Sequence, residues 1–234
     1  IKRNFSFKTT TFIEQAIKSG ASAIIAQAPM ASGPLPFVLV ADSRKALGFL
    51  GSRFHGDPSA RLKMIGVTGT NGKTTTTYIC KSLLEGIGRK VGLIGTVGYQ
   101  IGQETFPASH TTPGALDLQQ LLAKMVESGL TATVMEVSSH ALSLDRTSGC
   151  EYDVAVFTNL TQDHLDFHRT MDEYFEAKLK LFTGLAGGQK AGKRAIVNLD
   201  DPRGAAIRGA CPVPVWGYAI QGEADLKAES VRLS

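Results

Sequence analysis

Lys73 and Thr74 close the segment Gly66-Val67-Thr68-Gly69-Thr70-Asn71-Gly72-Lys73-Thr74-Thr75, which follows the apolar run Met64 to Val67 and precedes a helix-like stretch. Residue types in that order suit the grip on a triphosphate. Gly69 and Gly72 let the backbone turn tightly around Thr70 and Asn71 and aim N–H groups at phosphate oxygens. Lys73 adds a mobile cation, Thr74 offers a hydroxyl to Mg²⁺, and Thr75 continues into the helix. Only the Gly-Lys-Thr end matches the common phosphate-loop pattern, because Val67 stands five residues before Gly72 where glycine is usual. The expected ligand is a nucleoside triphosphate.

Other residues could complete a reaction centre. Glu136 ends the run Thr131-Ala132-Thr133-Val134-Met135, where a carboxylate after a buried strand can hold the Mg²⁺ of a bound nucleotide. Asp163, His164, Asp166 and His168 crowd six positions; hard Mg²⁺ prefers oxygen, so His164 stands open between a metal ligand and a satisfied loop histidine. Ser138, Ser139 and Arg146 follow Glu136, and Arg146 could clamp a carboxylate or phosphate. Thr112 is a natural N-cap with Pro113 at the first helical position, and the same helix start, with Thr111, could hold an anionic group. Lys178 lies on the apolar stripe of Met171, Tyr174, Phe175, Leu181 and Phe182, and Lys180 lies off it. If buried, Lys178 would be a weakly basic, nucleophilic amine able to react with CO₂; if at the stripe edge, it would snorkel to water.

The elements that must position these groups read as α/β. Residues 11–19 and a run capped by Asp42 and ending near Phe54 are helical, with short strands at Ala21 to Gln27 and Phe37 to Ala41. The breaker-rich residues 55–59 make a linker. Strands follow at Met64 to Thr68, Val91 to Gly95, Thr131 to Val137, Asp153 to Thr158, Ala195 to Leu199 and Val213 to Gly217, alternating with helices; Thr170 to Glu173 form a capping box. This alternation predicts a mostly parallel sheet covered on both faces, with Glu136, Asn159 to His164, and Asn198, Asp200 and Asp201 on the same rim as the phosphate loop. The chain reads as a small N-terminal unit, 1–56, and a larger nucleotide-binding domain, 57–234.

A length of 234 residues with 43% hydrophobic composition is enough to bury a core. The net charge of +4 is dispersed apart from Lys2, Arg3 and Lys8 and lacks aromatic interleaving, which argues against nucleic-acid binding. Three separated cysteines suggest neither a disulfide framework nor a zinc site and fit a reducing cytoplasm. No apolar run reaches the length of a membrane span, and there is no signal-peptide pattern. The residues Val231 to Ser234 read as the middle of a strand, so the chain is expected to be a fragment.

Five ordered motifs carry a resemblance: Gly69-Thr70-Asn71-Gly72-Lys73-Thr74-Thr75, Thr111-Thr112-Pro113, Glu136-Val137-Ser138-Ser139-His140, the run Asn159 to His168, and Tyr174-Phe175-Glu176-Ala177-Lys178. Together they resemble the Mur ligases, and among these most the members that add a diamino acid, L-lysine or meso-diaminopimelate, to UDP-MurNAc-L-Ala-D-Glu. The resemblance implies ATP-dependent amide formation through an acyl phosphate, in peptidoglycan precursor synthesis. It implies that residues 69–75 cradle ATP, that Thr74 and Glu136 serve one Mg²⁺, and that His164 and a carbamylated Lys178 support a second. Thr111, Thr112, Ser138 and Arg146 match positions that bind the UDP-MurNAc-dipeptide. It further implies a cytoplasmic monomer of about twice this length, in which 1–56 belongs to a uridine-nucleotide-binding domain and a third domain is missing here, so that this piece alone would be inactive. Two alternatives stay open: another ligase of the group, such as folylpolyglutamate synthetase, or a scaffold that has lost catalysis.

Overall fold

A computed structural model of the chain describes residues 7–29 and 34–231. Lys2, Arg3 and residues 232–234 lie outside these; Val231, expected within a strand, belongs to none. The described residues begin with α1 (Phe7–Lys18), and β1 (Ile24–Ala26) pairs in parallel with β2 (Phe37–Leu39) as a separate two-stranded sheet. Asp42 caps α2 (Ser43–Phe54) as expected, accepting from the N–H groups of Arg44 and Lys45 at 2.9 and 3.1 Å. The supposed linker contains the start of α3 (Pro58–Arg61), with Pro58 at its first turn.

From there strand and helix alternate: β3 (Lys63–Thr68), α4 (Lys73–Gly86), β4 (Val91–Ile94), β5 (Tyr99–Ile101), β6 (Glu104–Phe106), α5 (Ala115–Glu127), β7 (Ala132–Glu136), α6 (Ser139–Ser143), β8 (Val154–Phe157), α7 (Leu165–His168), α8 (Met171–Thr183), β9 (Arg194–Asn198), α9 (Gly204–Ala210), β10 (Val215–Ala219) and β11 (Leu226–Lys227). The strands form one sheet in the order β11-β10-β9-β8-β3-β7-β4-β5-β6. It is parallel from β11 to β4, as expected, and antiparallel at the β5–β6 hairpin. Residues 99–106 were in no expected strand, because two three-residue strands about Gly102 are too short to show a period of two.

Both faces of the sheet are covered at its centre, which is why β3, β4, β7 and β8 are mostly apolar, whereas the edge strands β6 and β11 are exposed. Met64, Met135, Phe157 and Val197 pack with Leu118 and Leu122 of α5, Phe175 and Phe182 of α8, and Ile207 of α9. Val67, Val134 and Val156 pack on the other face under Cys80 and Leu84 of α4. Because β3 lies between β7 and β8, and the chain leaves it through α4 toward β4, the crevice at its carboxyl end is the topological switch point where ligands collect.

Candidate functional site

The loop after β3 is moored on the residues that follow β8. The N–H of Thr70 donates to Asn159 O (2.8 Å), that of Asn71 to Asn159 Oδ1 (3.0 Å), and Thr158 Oγ1 donates to Asn71 O (2.7 Å). Gly69, at φ +153°, is required by this approach: a Cβ there would overlap Thr158 Oγ1. Gly72, at φ +82°, starts α4, whose first intrahelical bond runs from Thr76 N–H to Gly72 O (2.9 Å). The N–H groups of Lys73, Thr74 and Thr75 are therefore left at the helix end for a ligand.

Two lysines converge on this loop. Lys73 Nζ donates to Gly69 O (2.9 Å) and Thr70 O (2.7 Å). Lys178 Nζ reaches the same Gly69 carbonyl at 2.8 Å and lies 4.4 Å from the centre of the Tyr174 ring. Lys178 is 1% exposed, so it is buried on the α8 stripe rather than snorkelling, whereas Lys180 is exposed. Burial, reinforced by the neighbouring charge of Lys73, brings the Lys178 amine down to about 7. Burial also lowers Lys73, against an opposing pull from Glu136. Thr170 caps α8 as expected, its Oγ1 accepting from Glu173 N–H (3.1 Å).

Glu136, at the end of β7, is 1% exposed, and its carboxylate accepts three hydrogen bonds. Thr74 Oγ1 and Thr96 N–H donate to Oε1 (3.0 and 2.9 Å), and Thr96 Oγ1 to Oε2 (3.1 Å). Thr96 Oγ1 also lies 3.0 Å from Thr111 Oγ1. Thr112 is not a helix cap, contrary to expectation: Gly114 is the N-cap of α5, so Pro113 precedes the helix. The Thr112 hydroxyl is instead buried, donating to Glu136 O (2.8 Å) and accepting from Ser138 N–H (3.0 Å). Ser138 caps α6 through Ala141 N–H (3.2 Å).

His164 adopts the left-handed conformation (φ +53°), with Nε2 3.4 Å from Asp163 Oδ2. Its ring stands edge-on to that of His140, centroids 4.8 Å apart, and His140 in turn meets Phe167 and His168. His168 is 4% exposed with Nε2 2.9 Å from Ser139 Oγ; burial, then the nearby His140, lowers it to about 4.

These groups line one cleft of about 250 Å³, which brings together Thr70, Asn71, Gly72, Lys73, Thr74, Thr111, Glu136, Ser138, His164 and Lys178. Ser139, noted in the loop after Glu136, lines it too, and so does Thr96, which the sequence reading missed; the only hint of Thr96 was its position just past the end of β4. Four expected residues do not line it. Gly69 contributes its carbonyl from behind, Thr75 is exposed on α4, Thr112 sits beneath Glu136, and Arg146 Nη1 donates to Thr112 O (3.2 Å). Asn198, Asp200 and Asp201 lie on the expected rim but serve as braces, bonding Thr158 O, the N–H groups of residues 220–222, and Leu160 N–H. A larger groove of about 760 Å³ lies toward the amino ends of the strands, among Arg53, Asp57, Glu151 and Lys180, and holds none of the site residues.

The donor set suits a magnesium nucleotide. Thr74 and Glu136 supply hard oxygens beside the free N–H groups of α4, and among the described residues no group of three or more His, Cys, Asp or Glu gathers to hold a metal. Mg²⁺ typically takes one or two protein oxygens and fills the remaining positions with phosphate and water. Among the described residues no helix is long and apolar enough to cross a membrane.

Comparison with known proteins agrees with this fold. The model of the Mur ligase middle domain matches residues 67–234. A UDP-N-acetylmuramoyl-L-alanyl-D-glutamate--2,6-diaminopimelate ligase from Geobacillus thermodenitrificans is 47% identical over 99% of the chain, which covers 48% of that protein. A solved structure of a ligase of the same name is 33% identical, with TM-score 0.82 over 94% of this chain and 45% of its own. MurF ligase from Thermotoga maritima, solved in complex with ADP, is 25% identical, with TM-score 0.54 over 92% of this chain and 45% of its own. The chain thus spans about half the length of the curated relatives it matches.

Proposed function

Since this chain belongs to the Mur ligase family, we propose that the protein containing it is an ATP-dependent ligase that joins a diamino acid to UDP-MurNAc-L-Ala-D-Glu. In this reading it works in the cytoplasm, as a monomer, in peptidoglycan precursor synthesis. A carboxylate oxygen of the D-Glu end takes the γ-phosphoryl group from ATP and ADP departs; the amine nitrogen then attacks the acyl carbon, loses its proton, and phosphate leaves. The protein's part is positioning and charge neutralisation. The relatives' names make 2,6-diaminopimelate the diamino acid to test first, beside L-lysine.

The observation that carries the proposal is the cleft in which Lys73, Thr74, Glu136, His164 and Lys178 meet at the switch point of the sheet. The loop from Gly69 to Thr75 cradles the phosphates, Lys73 swinging from its own loop carbonyls to the β/γ oxygens. Thr74 and Glu136 would hold one Mg²⁺, and His164 would help hold a second. The Lys178 amine, with a basicity near 7, attacks CO₂ and loses a proton to give a carbamate whose oxygens support that second ion. Bound Mg²⁺ would neutralise charge on the transferring phosphoryl group. Thr111 and Ser138 contact the UDP-MurNAc-dipeptide, with Thr112 and Arg146 holding that wall in place. Residues 57–234 are then the central domain and residues 1–56 part of a uridine-nucleotide-binding domain, a division supported by the separate β1–β2 sheet. The test is ATP consumption by the full-length protein. Turnover only when the dipeptide substrate and a diamino acid are both present supports the ligase; ATP binding without coupled turnover would leave a scaffold.

A further inference from the structure

Thr96 carries no part of the phosphate-loop pattern, yet it joins Glu136 and Thr111 through three polar contacts in the cleft. It lies on the turn from β4 to β5, which is closed by Gly95 N–H donating to Gly98 O (3.2 Å). That turn presses on Glu136 so closely that a Cβ at Gly95 would overlap the carboxylate. From this perch Thr96 gives its N–H to Oε1 and its hydroxyl to Oε2, gripping both oxygens of Glu136, while Thr111 Oγ1 lies 3.0 Å away on the third side.

A hydroxyl has one proton, and a carboxylate can only accept. With the Thr96 proton committed to Glu136 Oε2, the contact between the two threonines must run from Thr111 to Thr96. The Thr111 hydroxyl then has no proton to give a ligand and turns an acceptor lone pair toward the cleft it lines. The geometry points to Thr96 as a positioning residue that fixes the Glu136 carboxylate and sets Thr111 as an acceptor, so that Thr111 receives a substrate N–H rather than binding a carboxylate. This rests on the reading of Glu136 as a magnesium ligand and Thr111 as a substrate contact. It links the two subsites through one side chain. The amide N–H groups of a peptidyl substrate are the donor class that such an acceptor selects.

The test uses the full-length protein and two variants. Thr96→Val keeps the shape and the backbone N–H but deletes the hydroxyl; Thr96→Ser keeps the hydroxyl. Binding of a non-hydrolysable ATP analogue is titrated calorimetrically at stepped Mg²⁺, and KM is measured separately for ATP and for the UDP-MurNAc-dipeptide. Loss of one charge-assisted hydrogen bond should raise the Mg²⁺ needed for half-maximal nucleotide affinity about tenfold in Thr96→Val, with a similar rise in dipeptide KM and full recovery in Thr96→Ser. Thr111→Val should raise dipeptide KM alone, and adding it to Thr96→Val should raise it little further, because the two act in series. A Thr96→Val protein with unchanged Mg²⁺ dependence and dipeptide KM overturns the proposal, as does a Thr96→Ser protein as impaired as Thr96→Val. Wild-type protein that binds no nucleotide with Mg²⁺ would instead overturn the ligase reading beneath it.

Discussion

Replacing Lys178 with methionine should stabilise the protein near neutral pH while destroying its proposed chemistry. The amine is 1% exposed, and its folded value is about 7 against an ordinary 10.5. At about 1.4 kcal/mol per pH unit, that difference is a folding penalty of about 5 kcal/mol when the unfolded lysine is protonated. Methionine loses the hydrogen bond to Gly69 O and the contact with the Tyr174 ring, about 1 kcal/mol each. The carbonyl is not orphaned, since Lys73 Nζ still donates to it at 2.9 Å. The net expectation is a gain of about 2–3 kcal/mol, the usual trade of stability against function in a strained site. Its pH dependence has a definite sign. Between about 7 and 10.5 the unfolded chain binds more protons at this position than the folded one, so wild type gains stability as pH rises and the advantage of Lys178→Met shrinks. Urea melts of both proteins at pH 7 to 10 in CO₂-free buffer measure it, the difference between them cancelling all other groups. Bicarbonate should then stabilise wild type but not the variant, since carbamate formation favours the folded state. A variant less stable than wild type at pH 7, with a gap that does not change with pH, would refute the claim that Lys178 is a desolvated amine.

Two further substitutions test the frame around the site. Gly69→Ala sets a Cβ against Thr158 Oγ1 at φ +153°, threatening the bond from Thr158 to Asn71 O; a loss of about 2–3 kcal/mol in stability and at least a tenfold loss of nucleotide affinity are expected by calorimetry. At the opposite end of the sheet, Asp153 holds Lys190 Nζ (2.5 Å), Lys63 Nζ (3.0 Å) and Met64 N–H (2.8 Å). Burial pushes its carboxyl up, but these donors outweigh burial and leave it below 3.8, so its contribution is present above pH 3.8 and is lost as pH falls through the lower folded value. Asp153→Asn should cost about 2–3 kcal/mol at pH 7 by leaving the half-buried Lys190 ammonium with only the carbonyls of Leu62 and Glu151 as acceptors, with ATP binding intact.

Much of the site was legible because its parts are local. The strand, glycine turn and Lys-Thr pair located the loop between β3 and α4, and the parallel sheet inferred from alternation put Glu136 and residues 159–164 on the same rim. The role of Lys178 could not be read from the stripe on α8 alone, because the acceptor its amine reaches is the Gly69 carbonyl 109 positions away. Thr112 fitted the N-cap pattern, but the backbone of Glu136 and Ser138 claimed its hydroxyl first. Thr96 reaches Glu136 only because β4 pairs with β7 in the register that sets Ile94 beside Met135. No spacing along the chain encodes that.

The most direct measurement of the central claim is mass-spectrometric detection of UDP-MurNAc-tripeptide made by the full-length protein from ATP, Mg²⁺, UDP-MurNAc-L-Ala-D-Glu and either diaminopimelate or lysine, with Lys178→Ala alongside. The account predicts a tripeptide with one of the two amino acids, lost in the variant and partly regained when a short-chain carboxylate is supplied. Binding of ATP with no tripeptide from either amino acid would contradict it.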